Sequence, residues 1–281
     1  MKEKRTVRLV VLCLFCLIFW IPVFAMLSGS FMGTDELTEV YGGVLGAGEE
    51  MVKARWLPMY PTLKPYVKLL LDSPDFFVMF WNSVKQVVPI LIGQVLVGVP
   101  AAWAFGRYHF TGRRILFLIY MILMVMPFQV TMVSGYLVLS GLSLMDTHLA
   151  IILPGIFSAF PVFIIQKFFR SIPGALIEAA MVDGAGQFRI FLYIGVPLGM
   201  PGVMASVILN FLEYWNAIEA PMTFLKTKSR LPLSLYLPQI TTDEMGSSFA
   251  ASMVMMLPAI LIFLWGQEYL EQGIVASGLK E

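Results

Sequence analysis

Charge is scarce in this chain: 18 acidic and 19 basic side chains among 281 residues leave 13% charged against 58% hydrophobic. That balance excludes an ordinary soluble domain and points to a membrane-embedded protein. Histidine is limited to His109 and His148, which read as lying near opposite membrane faces, and the two cysteines, Cys13 and Cys16, share one apolar run. No Cys/His ligand cluster is available, and the thiols read as small apolar residues. A phosphate-cradling G-x-x-x-x-G-K-[ST] loop and an H-E-x-x-H pair are also missing. Chemistry by this chain, a cofactor or metal of its own, and a nucleic-acid partner are not expected.

What fills the sequence is long apolar runs. Crossing roughly 30 Å of hydrocarbon takes about 20 helical residues, and six runs are placed at 9–28, 77–105, 115–139, 150–166, 202–221 and 249–265. Proline within the runs, at Pro22, Pro127, Pro154 or Pro161, and Pro258, predicts kinks, because a bundle can satisfy the freed carbonyls. Basic flanks set the orientation. Lys2, Lys4, Arg5 and Arg8 precede the first run, Arg107, Arg113 and Arg114 separate the second from the third, and Lys167, Arg170 and Arg189 follow the fourth. By the positive-inside tendency these faces are cytoplasmic and both termini are inside. Lys226, Lys228 and Arg230 fall on the outer side, against that tendency. The first run reads as a signal anchor, since it is long and no small-x-small cleavage site stands out.

The outer segment 29–76 starts acidic (Asp35, Glu36, Glu39, Glu49, Glu50) with glycines at Gly42, Gly43, Gly46 and Gly48, then turns proline-rich and aromatic around Trp56, Pro58, Tyr60, Pro61, Pro65 and Tyr66. It is either a loose connection or a surface for an extracytoplasmic partner. Moving a polar solute uphill requires a coupling device, and the stretch from about 171 to 197 is the candidate. Ser171 and Pro173 suit a helix start, and Asp183-Gly184 suits a stop with glycine at positive φ. A second short helix from Gln187 to Ile194 places Phe188, Phe191 and Leu192 on one face. Such a face either fills a groove in a partner or lies in the interface as an amphipathic helix.

Glu178-Ala179-Ala180, three residues, Gly184, nine residues, Ile194, one residue, then Val196-Pro197 resembles the EAA loop of binding-protein-dependent ABC importer permeases, with valine where leucine is usual. Asn82-Ser83-Val84, Ala101 to Phe105 followed by Arg107 to Phe110, Pro127, Ile151 to Pro154, and Trp215-Asn216 extend the resemblance to maltose-type sugar permeases over roughly residues 76–281. The departures are Met181-Val182-Asp183-Gly184-Ala185-Gly186 where the family often has Arg-Ile-Asp-Gly-Ala-Ser, and Ala217-Ile218-Glu219 after Trp215-Asn216, where aspartate is commonly next.

The resemblance implies an all-α, six-helix polytopic protein with the type I ABC importer permease fold. It divides the chain into an N-terminal tail and first helix (1–28), an extracytoplasmic segment (29–76), the permease core (77–268) and a C-terminal tail (269–281). It further implies that Glu178, Ala179, Ala180, Asp183, Gly184 and Pro197 couple to a cytoplasmic ATPase. The expected partners are a second homologous permease, two ATPase subunits that hold ATP and magnesium, and a solute-binding protein, all at the bacterial inner membrane. Glu213, Trp215 and Asn216 are candidates for the solute path, because polar groups inside spans usually face a cavity and a ring beside them suits a sugar face. The competing expectations are a permease for a non-sugar solute and an ion-coupled secondary transporter. For the latter an internal repeat and midplane ionisable residues are the expected signs, and no such repeat is visible.

Overall fold

A computed structural model describes residues 2–45, 55–236 and 244–278. Gly46, Gly48, Glu49 and Glu50 lie outside the described residues, as do the side chains of Lys2, Lys4, Arg5 and Arg8. Every regular element among the described residues is helical, one of the two ways a chain in lipid can satisfy its backbone. In order these are α1 (Lys2–Ser30), α2 (Thr34–Leu45), α3 (Lys64–Leu71), α4 (Pro74–Arg107), α5 (Arg113–Val125), α6 (Phe128–Gly141) and α7 (Leu149–Ile156). There follow α8 (Ala159–Ser171), α9 (Gly174–Val182), α10 (Gln187–Ile190), a π-helical turn (Phe191–Gly195), α11 (Val196–Trp215), α12 (Glu219–Phe224), two 3-10 turns (Lys228–Arg230 and Leu233–Leu235) and α13 (Met245–Gly278).

Five stretches are long and apolar enough to cross a membrane: Leu9–Ser30, Pro74–Arg107, Leu149–Ser171, Gln187–Trp215 and Met245–Glu271. Pro22 and Pro258 sit inside continuous helices. The third expected span differs from a single kinked helix. At Met126-Pro127 the axes of α5 and α6 turn by 102°. Pro127 lacks an N–H and drives Met126 out of helical space, to φ −65°, ψ 123°. Each half is about 20 Å long, too short to cross alone. The pair nevertheless starts and finishes at opposite ends of α4. Phe117 on α5 meets Phe105 near the end of α4, at 5.6 Å between centroids, whereas His148 beyond α6 bonds Gln86 near its start. Taken together as one broken span, the pair brings the crossings to six.

The fifth span is also corrected: it ends at Trp215, so 216–221 fall outside it, and it begins at Gln187. The short helix expected over Gln187 to Ile194 is not separate but runs through the π turn into α11. Pro197 explains the widened turn, since it has no N–H for the Tyr193 carbonyl four residues back.

The chain forms two compact units, Met1–Phe77 with Tyr236–Pro258, and Val78–Leu235 with Ala259–Glu281. In the first, residues 29–45 and 55–76 are folded rather than a loose connection. Glu36 accepts a hydrogen bond from the Met59 N–H (2.7 Å) and pairs with Arg55 (3.6 Å), and Met32, Leu37 and Met245 form a small core. In the second, α4, α8, α10 and α11 enclose Ala102, Trp103, Ile165, Phe169, Phe191 and Val203. Helix α11 comes close because it has no side chain at Gly199, where a Cβ would lie 2.3 Å from the Phe169 ring. Small residues at such seams are how helices approach in membranes.

Candidate functional site

The turn from α8 into α9 is built on the end of α4. Ile172 is extended (φ −62°, ψ 129°), as the residue before Pro173 is obliged to be, and it is buried. Its carbonyl accepts a hydrogen bond from the Arg107 guanidinium. Ser171 does not cap α9: its hydroxyl bonds back to the Phe168 carbonyl (2.8 Å), and Pro173 occupies the cap position. At the other end Gly184 adopts φ +79°. The Ala185 N–H bonds the Ala180 carbonyl (2.9 Å) and the Gly184 N–H bonds that of Met181 (3.1 Å). This is a Schellman stop, which favours glycine for want of a Cβ.

Helix α9 buries none of its residues. Ile177, Ala180 and Ala185 rest against the core of the second unit, while Glu178, Ala179, Met181, Val182 and Asp183 turn outward, Val182 with 88% of its surface exposed. The apolar face expected of the next helix splits. Phe188 and Leu192 are exposed, but Phe191 turns inward onto Trp103 (5.6 Å) and Phe169 (6.5 Å). Pro197 is exposed at the start of α11, beyond the π turn.

At the opposite end of α4 a clasp appears that the pattern reading missed. Asp146, at φ +57°, accepts from the Thr227 hydroxyl (2.5 Å) and from the N–H groups of Thr227 and Lys226 (both 2.9 Å), and it pairs with Arg230 (3.1 Å). The Thr227 hydroxyl first, then those N–H groups and the Arg230 charge, push its carboxyl down to about 2. The clasp pairs one of the three positive charges at 226–230, that of Arg230. A signal existed, because Asp146 is the lone acid between Asp75 and Glu178. Nearby, Asn82 donates to the Ser229 and Leu231 carbonyls (2.8 and 3.0 Å), and Gln86 donates to His148 Nδ1 (3.1 Å) and the Arg230 carbonyl (3.3 Å). Gln86 is thus buried and bonded. Burial, then Lys85 and Arg230, hold the His148 imidazolium below its ordinary pKa.

Of the solute-path candidates, Trp215 is buried, its ring against Phe80 (5.8 Å) and stacked on Phe211 (5.3 Å). Glu213 and Asn216 are exposed, and Asn216 donates to the Leu212 carbonyl (2.8 Å). Asn210, on the same helix, is fully buried with Gln94 and Ser206.

The model of the family described as "Binding-protein-dependent transport system inner membrane component" matches residues 94–276. An inner membrane ABC transporter permease protein of Escherichia coli, YcjP, is 30% identical over 96% of this chain and 94% of its own length. The arabinooligosaccharides transport system permease protein AraQ of Bacillus subtilis is 28% identical over 94% of this chain and 92% of its own length. A solved bacterial ABC transporter involved in importing the acidic polysaccharide alginate has a chain of the same fold, with TM-score 0.79, 22% identity, and coverage of 95% of this chain and 96% of that one.

Proposed function

We propose, from the premise that this chain belongs to the family of binding-protein-dependent transport system inner membrane components, that it takes up a sugar or oligosaccharide using ATP hydrolysed in a separate subunit. The chain is a multi-pass permease subunit. The sugar reading draws on the arabinooligosaccharide and alginate systems named above.

The observation that carries the coupling mechanism is α9: a two-turn helix with no buried residue, anchored at both ends by backbone hydrogen bonds and by Ile177 and Ala180 beneath. A cytoplasmic ATPase receives it in a cleft. Ala179 admits close approach, Glu178 offers a charge-assisted hydrogen bond, and the Asp183-Gly184 stop fixes the length of the inserted piece. Because Arg107 ties the α8–α9 turn to α4, closure of the ATPases is passed to the spans and exchanges inward-facing for outward-facing states. Pro197 contributes indirectly, through the π turn that joins α10 to α11.

The chain itself catalyses nothing and holds no cofactor; ATP and magnesium belong to the ATPases. One copy pairs with a homologous permease, two ATPases and an extracytoplasmic binding protein, with both termini cytoplasmic. The core is 77–268, with 1–28, 29–76 and 269–281 flanking it. Glu213 and Asn216 face the solute path, and Trp215 sets their position from within the packing.

The test is co-purification from mild detergent. The wild-type chain is expected to carry a second permease and an ATPase with it, and Glu178→Ala to lose ATPase and uptake together while staying in the membrane. A chain that elutes alone, under conditions preserving a known importer, removes the proposal.

A further inference from the structure

At the end of α4 that carries α9, a cavity of about 630 Å³ opens between Phe105, the loop from His109 to Gly112, the first turns of α5, and Gln166 and Arg170 of α8. Arg113, Arg114 and Arg170 all line it, with His109 beside them. Among the described residues no acid pairs with these charges. Among the described residues, Arg107, Arg113, Arg114, Lys167, Arg170 and Arg189 enter no ion pair, unlike Arg55 and Arg230. Arg113 instead donates to the Tyr108 carbonyl (3.2 Å) and approaches His109 Nδ1 (3.4 Å), which holds its guanidinium in place. The first turn of α5 lies at the same mouth, so its N–H groups add to the positive potential.

We infer that this cavity is a binding site for the phosphate of an anionic phospholipid, seated in the leaflet that meets the α5 N-terminus. Guanidinium forks match phosphate oxygens in bidentate fashion, and basic pockets between membrane helices are suited to acidic headgroups. The geometry favours a lipid over a free anion. Directly beyond the arginines, α5 exposes Ile115 (67%), Leu118 (50%), Ile119 and Ile122, an apolar slope along which acyl chains can lie while the headgroup stays in the cavity. Phe105, Phe110 and Phe117 form an aromatic floor at 5.6 to 5.8 Å from one another's ring through Phe105. A lipid held there touches α4, α5 and α8 at once, and Arg170 lies one residue before the turn into α9. The inference rests on the proposed topology, which puts this end in the cytoplasmic leaflet.

The test uses the full chain in mild detergent exchanged into mixed phosphatidylglycerol and phosphatidylcholine, with retained lipid read by native mass spectrometry. Wild type is expected to retain phosphatidylglycerol preferentially. Neutralising one arginine (R113Q, R114Q or R170Q) lowers that preference about 5-fold, and the triple variant lowers it on the order of 100-fold. The triple lysine variant keeps much of the preference, which a merely misfolded protein does not. Equal retention of both lipids overturns the inference, and so does displacement by low-millimolar inorganic phosphate with no lipid adduct. Loss of a co-purifying ATPase in the glutamine variants, with no change in lipid, also overturns it and gives the cavity to a protein interface. Thiol labelling of Thr111→Cys separates this failure from that of the topology. Labelling from outside the cell overturns the orientation, whereas labelling from inside without lipid preference overturns the lipid site alone.

Discussion

Gly184 offers a graded perturbation of α9. Its φ of +79° is the conformation that a Cβ destabilises, yet a Cβ there would meet no atom within 4 Å. A substitution therefore acts through backbone strain alone. That strain is about 1–2 kcal/mol for an ordinary residue, more for a β-branched one, and less for asparagine, which visits the left-handed region readily. Relief comes by opening the two carbonyl bonds of the stop at Ala180 and Met181, which frays the end of α9. If the ATPase binds only the closed form, its affinity falls by the population lost, about 5- to 30-fold for 1–2 kcal/mol. The expected order of ATPase affinity, measured by titrating purified ATPase onto the detergent-solubilised permease pair, is Gly184, then Asn, Ala and Val. Uptake in vesicles should follow the same order while membrane content of the protein stays level. Valine binding as tightly as glycine, or asparagine failing as badly as valine, would refute the reasoning.

Four further outcomes follow from the packing. Asp146 has a folded pKa depressed from an ordinary 3.8 to about 2, so its clasp stabilises fully above about pH 4 and is lost as pH falls through about 2. Protease nicking of the 225–231 segment should rise across that window in the wild type, and Asp146→Asn should be nicked readily at neutral pH with no further acid dependence. Gly199→Ala forces a Cβ against the fully buried Phe169 ring and should cost about 1–3 kcal/mol, read as a lower melting temperature that Phe169→Leu partly restores. Asn210→Leu removes a partner of Gln94 inside the bundle, worth roughly 0.6–1.7 kcal/mol, and should lower the amount of folded protein. Glu213→Gln should leave that amount unchanged and alter uptake; the reverse pattern would exchange their roles.

The class of fold was legible because its cause is local: a bilayer demands runs of apolar residues, and those runs are visible one at a time. The α9 stop was legible for the same reason, since Asp183-Gly184 dictates the left-handed turn without help from the rest of the chain. What escaped depended on partners far apart in sequence. Pro127 looks the same on paper whether it kinks a span or breaks it by 102°. Phe191 shares a helical face with Phe188, and only the presence of Trp103 and Phe169 decides that one goes inward and the other out.

The polar residues of the spans make the same point with a consequence for transport. Gln94 lies opposite the Gly155 carbonyl (2.8 Å), near the break between α7 and α8, and Asn82 and Gln86 face carbonyls of the short 3-10 turn Lys228–Arg230 and its cap Leu231. Each sits where interrupted backbone offers an acceptor that lipid cannot satisfy, so each is recruited to the fold and removed from the set that can touch solute. Glu213 has no such carbonyl opposite it, and among the described residues it accepts no hydrogen bond on α11. A carboxylate in a membrane span must keep its water or find a partner. Glu213 is exposed near the α11 terminus with the Trp215 ring packed behind it, and under the proposed function it is a polar group of this span that meets a passing hydroxylated solute.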